Sequence, residues 1–261
     1  MKKILALVMA ALLMCLSFAG CSKIDPAKDV ENIKEKGKIV VGITEFAPMD
    51  YKEKGSTEWI GFDADMAKKF AEELGVEVEF QLIDWNNKIM ELQNGTIDCV
   101  WNGMTLTDEV KAGMSCSVPY CINSQVVVVK AADADKYQTA EACKGLKFAV
   151  EEGSAGEDMA KENGFEYTAV ADMATALAEV KSGTSDAAII DSLMAGAMIG
   201  EGTSYEDLTY TAKLNNEEYG VGFRVGSNLV DEFNAFLEKA TADGTVENIA
   251  KTYGVQEAIV K

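Results

Sequence analysis

The sequence predicts an α/β protein of two similar lobes, and three observations predict it. From Lys38 onward, short apolar runs alternate with amphipathic stretches, as in open, mostly parallel sheets flanked by helices. One segment of this alternation is echoed later in the chain. In both copies polar residues follow an apolar strand, where such sheets usually meet ligands.

The elements follow in order. Lys38-Ile39-Val40-Val41-Gly42 is an apolar run ended by Gly, hence a buried parallel strand. Phe62 to Leu74 puts Met66, Ala67, Phe70, Ala71 and Leu74 on one helical face, with Asp63 and Asp65 in the first turn and Gly75 as the stop. Val76, Val78 and Phe80 alternate with Glu77 and Glu79, a half-buried strand. Trp85 to Leu92 reads as a second helix and Ile97 to Trp101 as a third strand. Leu92-Gln93-Asn94-Gly95-Thr96-Ile97-Asp98 is then answered by Val180-Lys181-Ser182-Gly183-Thr184-Ser185-Asp186. In each, a helix ends at Gly and an Asp opens a strand, Cys99-Val100-Trp101 or Ala187-Ala188-Ile189-Ile190; Asp98 and Asp186 are structural on this reading. Leu146 to Val150 and Met173 to Lys181 supply the second lobe's strand and helix. The polar residues beyond the strands are Asn102-Gly103-Met104-Thr105 and Asp191-Ser192. Two lobes with facing crevices suggest a cleft that closes on something small.

Composition narrows the function. The 261 residues contain no His, which removes the commonest general base and metal ligand. Arg224 is the one Arg, so a planar grip on a carboxylate uses it or none. Lys2 and Lys3, an apolar run from Ile4 to Met14 and small residues before Cys21 make a secretory signal peptide, too short to span a bilayer comfortably. Its removal leaves about 240 residues and takes the net charge from −19 to −21, a balance that argues against nucleic acid. Ser22 to about Asp29 has a linker's composition. Of six Cys, Cys116 and Cys121 are close enough in sequence to pair, though nothing forces a disulfide. Zinc is disfavoured without His or a Cys-x-x-Cys pair, and no cofactor is expected.

Several blocks in order carry a resemblance: Val41-Gly42 leading to Phe46-Ala47-Pro48-Met49, Gly61-Phe62-Asp63-Ala64-Asp65-Met66-Ala67, Asp84-Trp85, Gly103-Met104-Thr105-Leu106-Thr107-Asp108-Glu109, Pro119-Tyr120, Gln125 to Val129, Gly153-Ser154, Gly183 to Asp191, Tyr219-Gly220-Val221 and Asp243-Gly244-Thr245. Nearly everything after Asp29 resembles the bacterial solute-binding proteins of polar amino acid ABC transporters, of the periplasmic-binding-protein type II fold. Cys21 after Ala19-Gly20 likewise resembles a lipobox, in which that Cys is lipidated. The resemblance implies a signal peptide over 1–21, a linker over 22–29, lobe one from 30–126 and 220–261, and lobe two from 127–219, hinged by two crossing strands. It implies a monomer tethered outside the cytoplasm to the cell membrane. Its partners are a small amine-bearing ligand and the permease subunits of a transporter.

The resemblance also assigns a site. Phe46 corresponds to an aromatic that packs on the ligand, with a buried core Phe as the alternative. Trp85 is a second wall, unless it packs only against its own helix. Gly103 and Thr105, with Asn102 and Met104 around them, correspond to acceptors of an ammonium, completed by Asp191 of lobe two; for Asp191 the alternative is a helix cap. The family's Arg, which forks onto the ligand's α-carboxylate, corresponds to Val110, and a helpful Thr hydroxyl corresponds to Ala155. Three explanations stay open. Backbone N–H groups at the helix starts after Thr107 and Ser154 hold the carboxylate, with Lys111 (favoured); the ligand lacks a carboxylate; or Arg224 reaches the cleft. Glu45, Asp50 and Asp84 near the rim would favour a cation. The competing functions are an enzyme on the same fold, a dehydratase of cyclic amino acid precursors, and a ligand-sensing module.

Overall fold

In the computed structural model, residues 24–260 are described; the leader and Cys21 lie outside them. Chain order gives strand β1 (Lys38–Ile43) after helix α1 (Asp29–Lys36), then α2 (Phe62–Leu74), β2 (Glu77–Leu82), α3 (Lys88–Asn94), β3 (Cys99–Thr105), α4 (Asp108–Gly113), β4 (Ser115–Cys116) and β5 (Cys121–Asn123). Next come β6 (Gln125–Lys130), β7 (Lys147–Glu151), α5 (Ala155–Asn163), β8 (Glu166–Val170), α6 (Met173–Ser182), β9 (Ala187–Asp191), α7 (Ser192–Met198) and β10 (Leu208–Lys213). The chain finishes with β11 (Glu217–Phe223), α8 (Leu229–Ala242) and α9 (Thr245–Tyr253).

These strands form two sheets, ordered β2-β1-β3-β11-β4 with β5 also on β11, and β10-β6-β9-β7-β8. In each, three strands run parallel and a fourth, β11 or β6, lies antiparallel beside them. The repeat read from the sequence is thus a repeat of topology. Its two Asp residues do the same work: Asp98 Oδ2 accepts the Val40 N–H at 2.8 Å, and Asp186 Oδ2 accepts the Lys147 N–H at 3.0 Å, each from the neighbouring parallel strand.

Parallel strands covered on both faces need apolar residues at successive positions. In β1, Ile39, Val41 and Ile43 join the core that includes Phe70, Trp101 and Phe233, while Val40 faces a second core with Trp85, Leu92 and Val110. In lobe two, Val126 and Val128 face one way, and Val127 and Val129 meet Phe148, stacked on Phe165, on the other.

Three expectations shift, and one alternative left open is decided. The third strand runs to Thr105, so Asn102 to Thr105 lie within it and not beyond it. The second helix is interrupted: Trp85–Asn87 is a tight 3₁₀ turn, and the α-helix follows from Lys88. Asp29, the end of the expected linker, opens α1 and is fully buried. Cys116 and Cys121 are free thiols, set against different positions of β11, Gly222 and Tyr219.

Candidate functional site

Phe46, Trp85, Asn102, Gly103, Met104, Thr105, Val110, Ser154, Ala155 and Asp191 all line one cavity between the lobes. It leaves about 30 Å³ of free space, so the walls are drawn together and a solute enters when they part. The lobes touch across it: Asn86 Nδ2 donates to Glu152 Oε1 at 3.2 Å, and Lys88 Nζ donates to the Gly153 carbonyl at 2.8 Å. Gly153 has φ +70°, and a Cβ there would lie 2.9 Å from the Cα of Asn86. Only Gly lets the two rims approach this closely.

The lobe-one wall is held from beneath. Gly103, at φ +55°, sits where a Cβ would meet the Phe46 ring at 2.4 Å. Its N–H donates to Asp63 Oδ2 at 2.7 Å, which also accepts the Tyr120 hydroxyl at 2.7 Å. Asn102 accepts from the Thr44 N–H and hydroxyl and donates to Asp50 Oδ2 at 2.8 Å. Burial pushes the Asp63 carboxyl up to about 7 and raises Asp50 well above its ordinary range. Both acids therefore brace the site strand. Read from sequence as a helix-dipole residue, Asp63 has this second role through a contact forty residues away. Asp50, expected near the rim, is fully buried. Asp84 caps the turn below Trp85 through the Asn86 N–H at 3.0 Å, and neither Asp84 nor Glu45 lines the cavity.

On the lobe-two side Asp191 is not a side-chain cap of α7. Its Oδ1 accepts from Asn123 Nδ2, from Gln125 Nε2 at 3.0 Å and from the Tyr219 hydroxyl, where the chain passes between lobes as β5 leads into β6 and β10 into β11. Burial, and then the Glu217 carboxylate, raise its pKa well above the carboxylate range. Phe46 is both alternatives at once, a fully buried ring edge-on to Tyr219 and part of the wall. Trp85, 8% exposed, faces the cavity and carries Lys88 Nζ 4.9 Å above its ring.

The carboxylate explanations are changed by geometry. Arg224 is committed to the body: its guanidinium bonds Asp29 at 2.9–3.1 Å, Asp98 at 3.3 Å and the carbonyls of Leu92 and Ile97. Lys111 lines a separate groove beside the hinge. Helix α4 has six residues, and the Val110 N–H is taken by the Thr107 hydroxyl at 3.2 Å; after Ser154, its own hydroxyl takes the Glu157 N–H at 3.2 Å. Neither helix start offers a full set of free donors.

Sequence reasoning missed Lys88, Glu109, Gln125, Glu151, Asp158 and Met173, which also line the cavity. Burial pushes Glu151 up to about 8 and raises Asp158. Oε1 of Gln125 and Oε1 of Glu151 are buried with no partner among the described residues, so the lobe-two wall presents acceptors that call for donors. Glu151 ends β7, the counterpart of Ile43 at the end of β1; strand-end position was the signal that could have found it.

Two α/β lobes joined by crossing strands around an acceptor-rich cleft define the class of hinged small-molecule binders. The chain belongs to the bacterial extracellular solute-binding proteins, family 3, whose model matches residues 39–256. The arginine-binding extracellular protein ArtP of Bacillus subtilis (strain 168) is 30% identical over 264 residues, covering 97% of this chain and 98% of its own. The ABC transporter glutamine-binding protein GlnH of the same organism is 31% identical over 271 residues, 97% of each. A substrate-binding protein of an ABC uptake transporter from Streptococcus pneumoniae, solved with bound histidine, superposes with a TM-score of 0.81 at 27% identity, over 91% of this chain and 100% of its own. The fold is therefore the two-lobed type II periplasmic-binding architecture, and the family places the protein outside the cytoplasm.

Proposed function

We propose that the protein is the substrate-binding component of an amino acid ABC transporter, capturing an amino acid or related amine-bearing solute between its lobes for delivery to the permease. One observation carries the reading: Gln125 and Glu151, whose Oε1 atoms are buried with no partner among the described residues, line a single cavity together with Asp191, Gly103 and Thr105. A polar cluster buried at this cost is stabilised by a ligand that brings N–H donors. Relatives described as binding arginine and glutamine support the amino acid class.

On this reading Phe46 and Trp85 pack on the ligand, Thr105, Gly103 and Asp191 hold its ammonium, and Asn102, Met104, Val110, Ser154 and Ala155 shape the pocket. Lobe one is 30–126 with 220–261 and lobe two 127–219, bounds that fall just inside β6 and β11, so closure turns on the two segments where β5 leads into β6 and β10 into β11. The protein binds and does not transform its ligand, works as a monomer, and is anchored through a lipid on Cys21. Differential scanning fluorimetry of a soluble 22–261 form against amino acids, amines and small peptides tests the assignment. A true ligand at a hundred times its Kd adds about 2.7 kcal/mol of apparent stability, and a flat response to every amino acid rejects it.

A further inference from the structure

We propose that Lys88 replaces the absent arginine fork, holding the carboxylate of the ligand from the Trp85 wall opposite lobe two. The inference rests on the amino acid reading and adds the group that recognises the acid end. Lys88 is the one cation among the described residues lining the cavity, a wall it shares with Val110. It sits on the buried stripe of α3 with Leu92, one turn on, where amphipathic spacing calls for an apolar residue. A lysine 7% exposed on such a stripe is costly unless it serves a site.

Its bonds are incomplete. Nζ donates to the Trp85 carbonyl at 3.2 Å and to the Gly153 carbonyl at 2.8 Å. An ammonium has three donors, and both acceptors it has found are neutral. No carboxylate of the described residues comes within the 4.0 Å of an ion pair, although Glu109, Glu151 and Asp158 share the cavity. The Trp85 carbonyl and ring fix the ammonium on lobe one, and the Gly153 bond forms only when lobe two arrives. A ligand carboxylate beside Val110 takes the remaining donor in the closed state. Asp191 and Gln125 then meet the α-ammonium, and the remaining acids, Glu109, Glu151 and Asp158, are left for a cationic side chain.

Titration calorimetry with amino acids and their decarboxylated amines reads the acid end directly. The pairs are L-arginine with agmatine, L-lysine with cadaverine, and L-histidine with histamine. Wild type should bind the amino acid of its preferred pair more tightly than the amine. Lys88→Met, which keeps an unbranched side chain on the stripe, should weaken the amino acid by roughly 30- to 150-fold and the amine far less. Val110→Arg in the Lys88→Met background should recover part of the loss. Equal weakening of both members makes Lys88 a latch between lobes and overturns the proposal, as does an unchanged amino acid affinity. If Lys88→Met does not fold, wild type alone decides: an amine that binds as tightly as its amino acid overturns the proposal and leaves an amine-binding cleft standing. A wild type that binds neither member of any pair overturns the proposal, whereas the amino acid reading falls only with a flat response to every amino acid in the fluorimetry.

Discussion

Asp191 carries more of the proposed recognition than any other side chain, because three neutral donors hold it at the lobe crossing while its burial disfavours charge. A ligand ammonium supplies the missing counter-charge. Asp191→Asn should therefore weaken amine-bearing ligands at least tenfold, roughly the worth of one charge-assisted bond; calorimetry showing unchanged affinity removes Asp191 from the site. Glu151 adds a pH dependence. Its carboxyl, pushed up to about 8, is mostly protonated near neutrality in the ligand-free protein, and a cation beside it favours the ionised form. Affinity for a cationic amino acid should rise between pH 6 and 8, and Glu151→Gln should flatten that rise. Arg224 lies at the opposite extreme, wholly structural: Arg224→Leu strands buried Asp29 and should cost about 3–5 kcal/mol in denaturant unfolding while leaving ligand Kd unchanged at temperatures where the variant is folded.

Among the elements, legibility followed periodicity. Helix α2 was readable to the residue because its apolar face, acidic first turn and terminal Gly agree. β3 was read short because Asn102 to Thr105 are polar or flexible, and local pattern does not reveal that Asp63, Asp50 and Tyr219 pair them from distant segments. The ten residues assigned through the resemblance converge on one cavity, since strand ends and following loops gather at one edge of each sheet. Lys88 and Asp158 were not legible, since a lysine and an acid on helices look like surface until the second lobe closes over them, whereas Glu151 was marked by its place at a strand end. The internal repeat was legible, and it predicts unequal consequences for equal residues. Asp98→Ala loses the Val40 bond and also deserts Arg224 and Lys36, and should cost about 3 kcal/mol. Asp186→Ala loses a single exposed backbone contact and should cost less than about 1 kcal/mol in the same unfolding assay.

At the scale of the whole molecule, the site is built at the expense of the fold that carries it. Asp63 near 7 and Glu151 near 8 bind protons more tightly folded than unfolded. The stability those protons contribute is complete below the unfolded carboxylate range and lost as pH rises through 7 and 8. The ligand-free protein should thus melt lower at pH 8.5 than at pH 5.5, and a cationic ligand should restore more stability at the higher pH; a ligand-free melting point that rises over this range contradicts the assignment. Closure is where these scales meet, because Asn86, Lys88 and Gly153 join the lobes only when the cleft is shut. Small-angle scattering of the soluble form, with and without the solute that most raises its melting point, tests this most directly. The radius of gyration should fall on binding, as the population shifts toward the shut form. A solute that binds while the radius of gyration stays unchanged would contradict that shift.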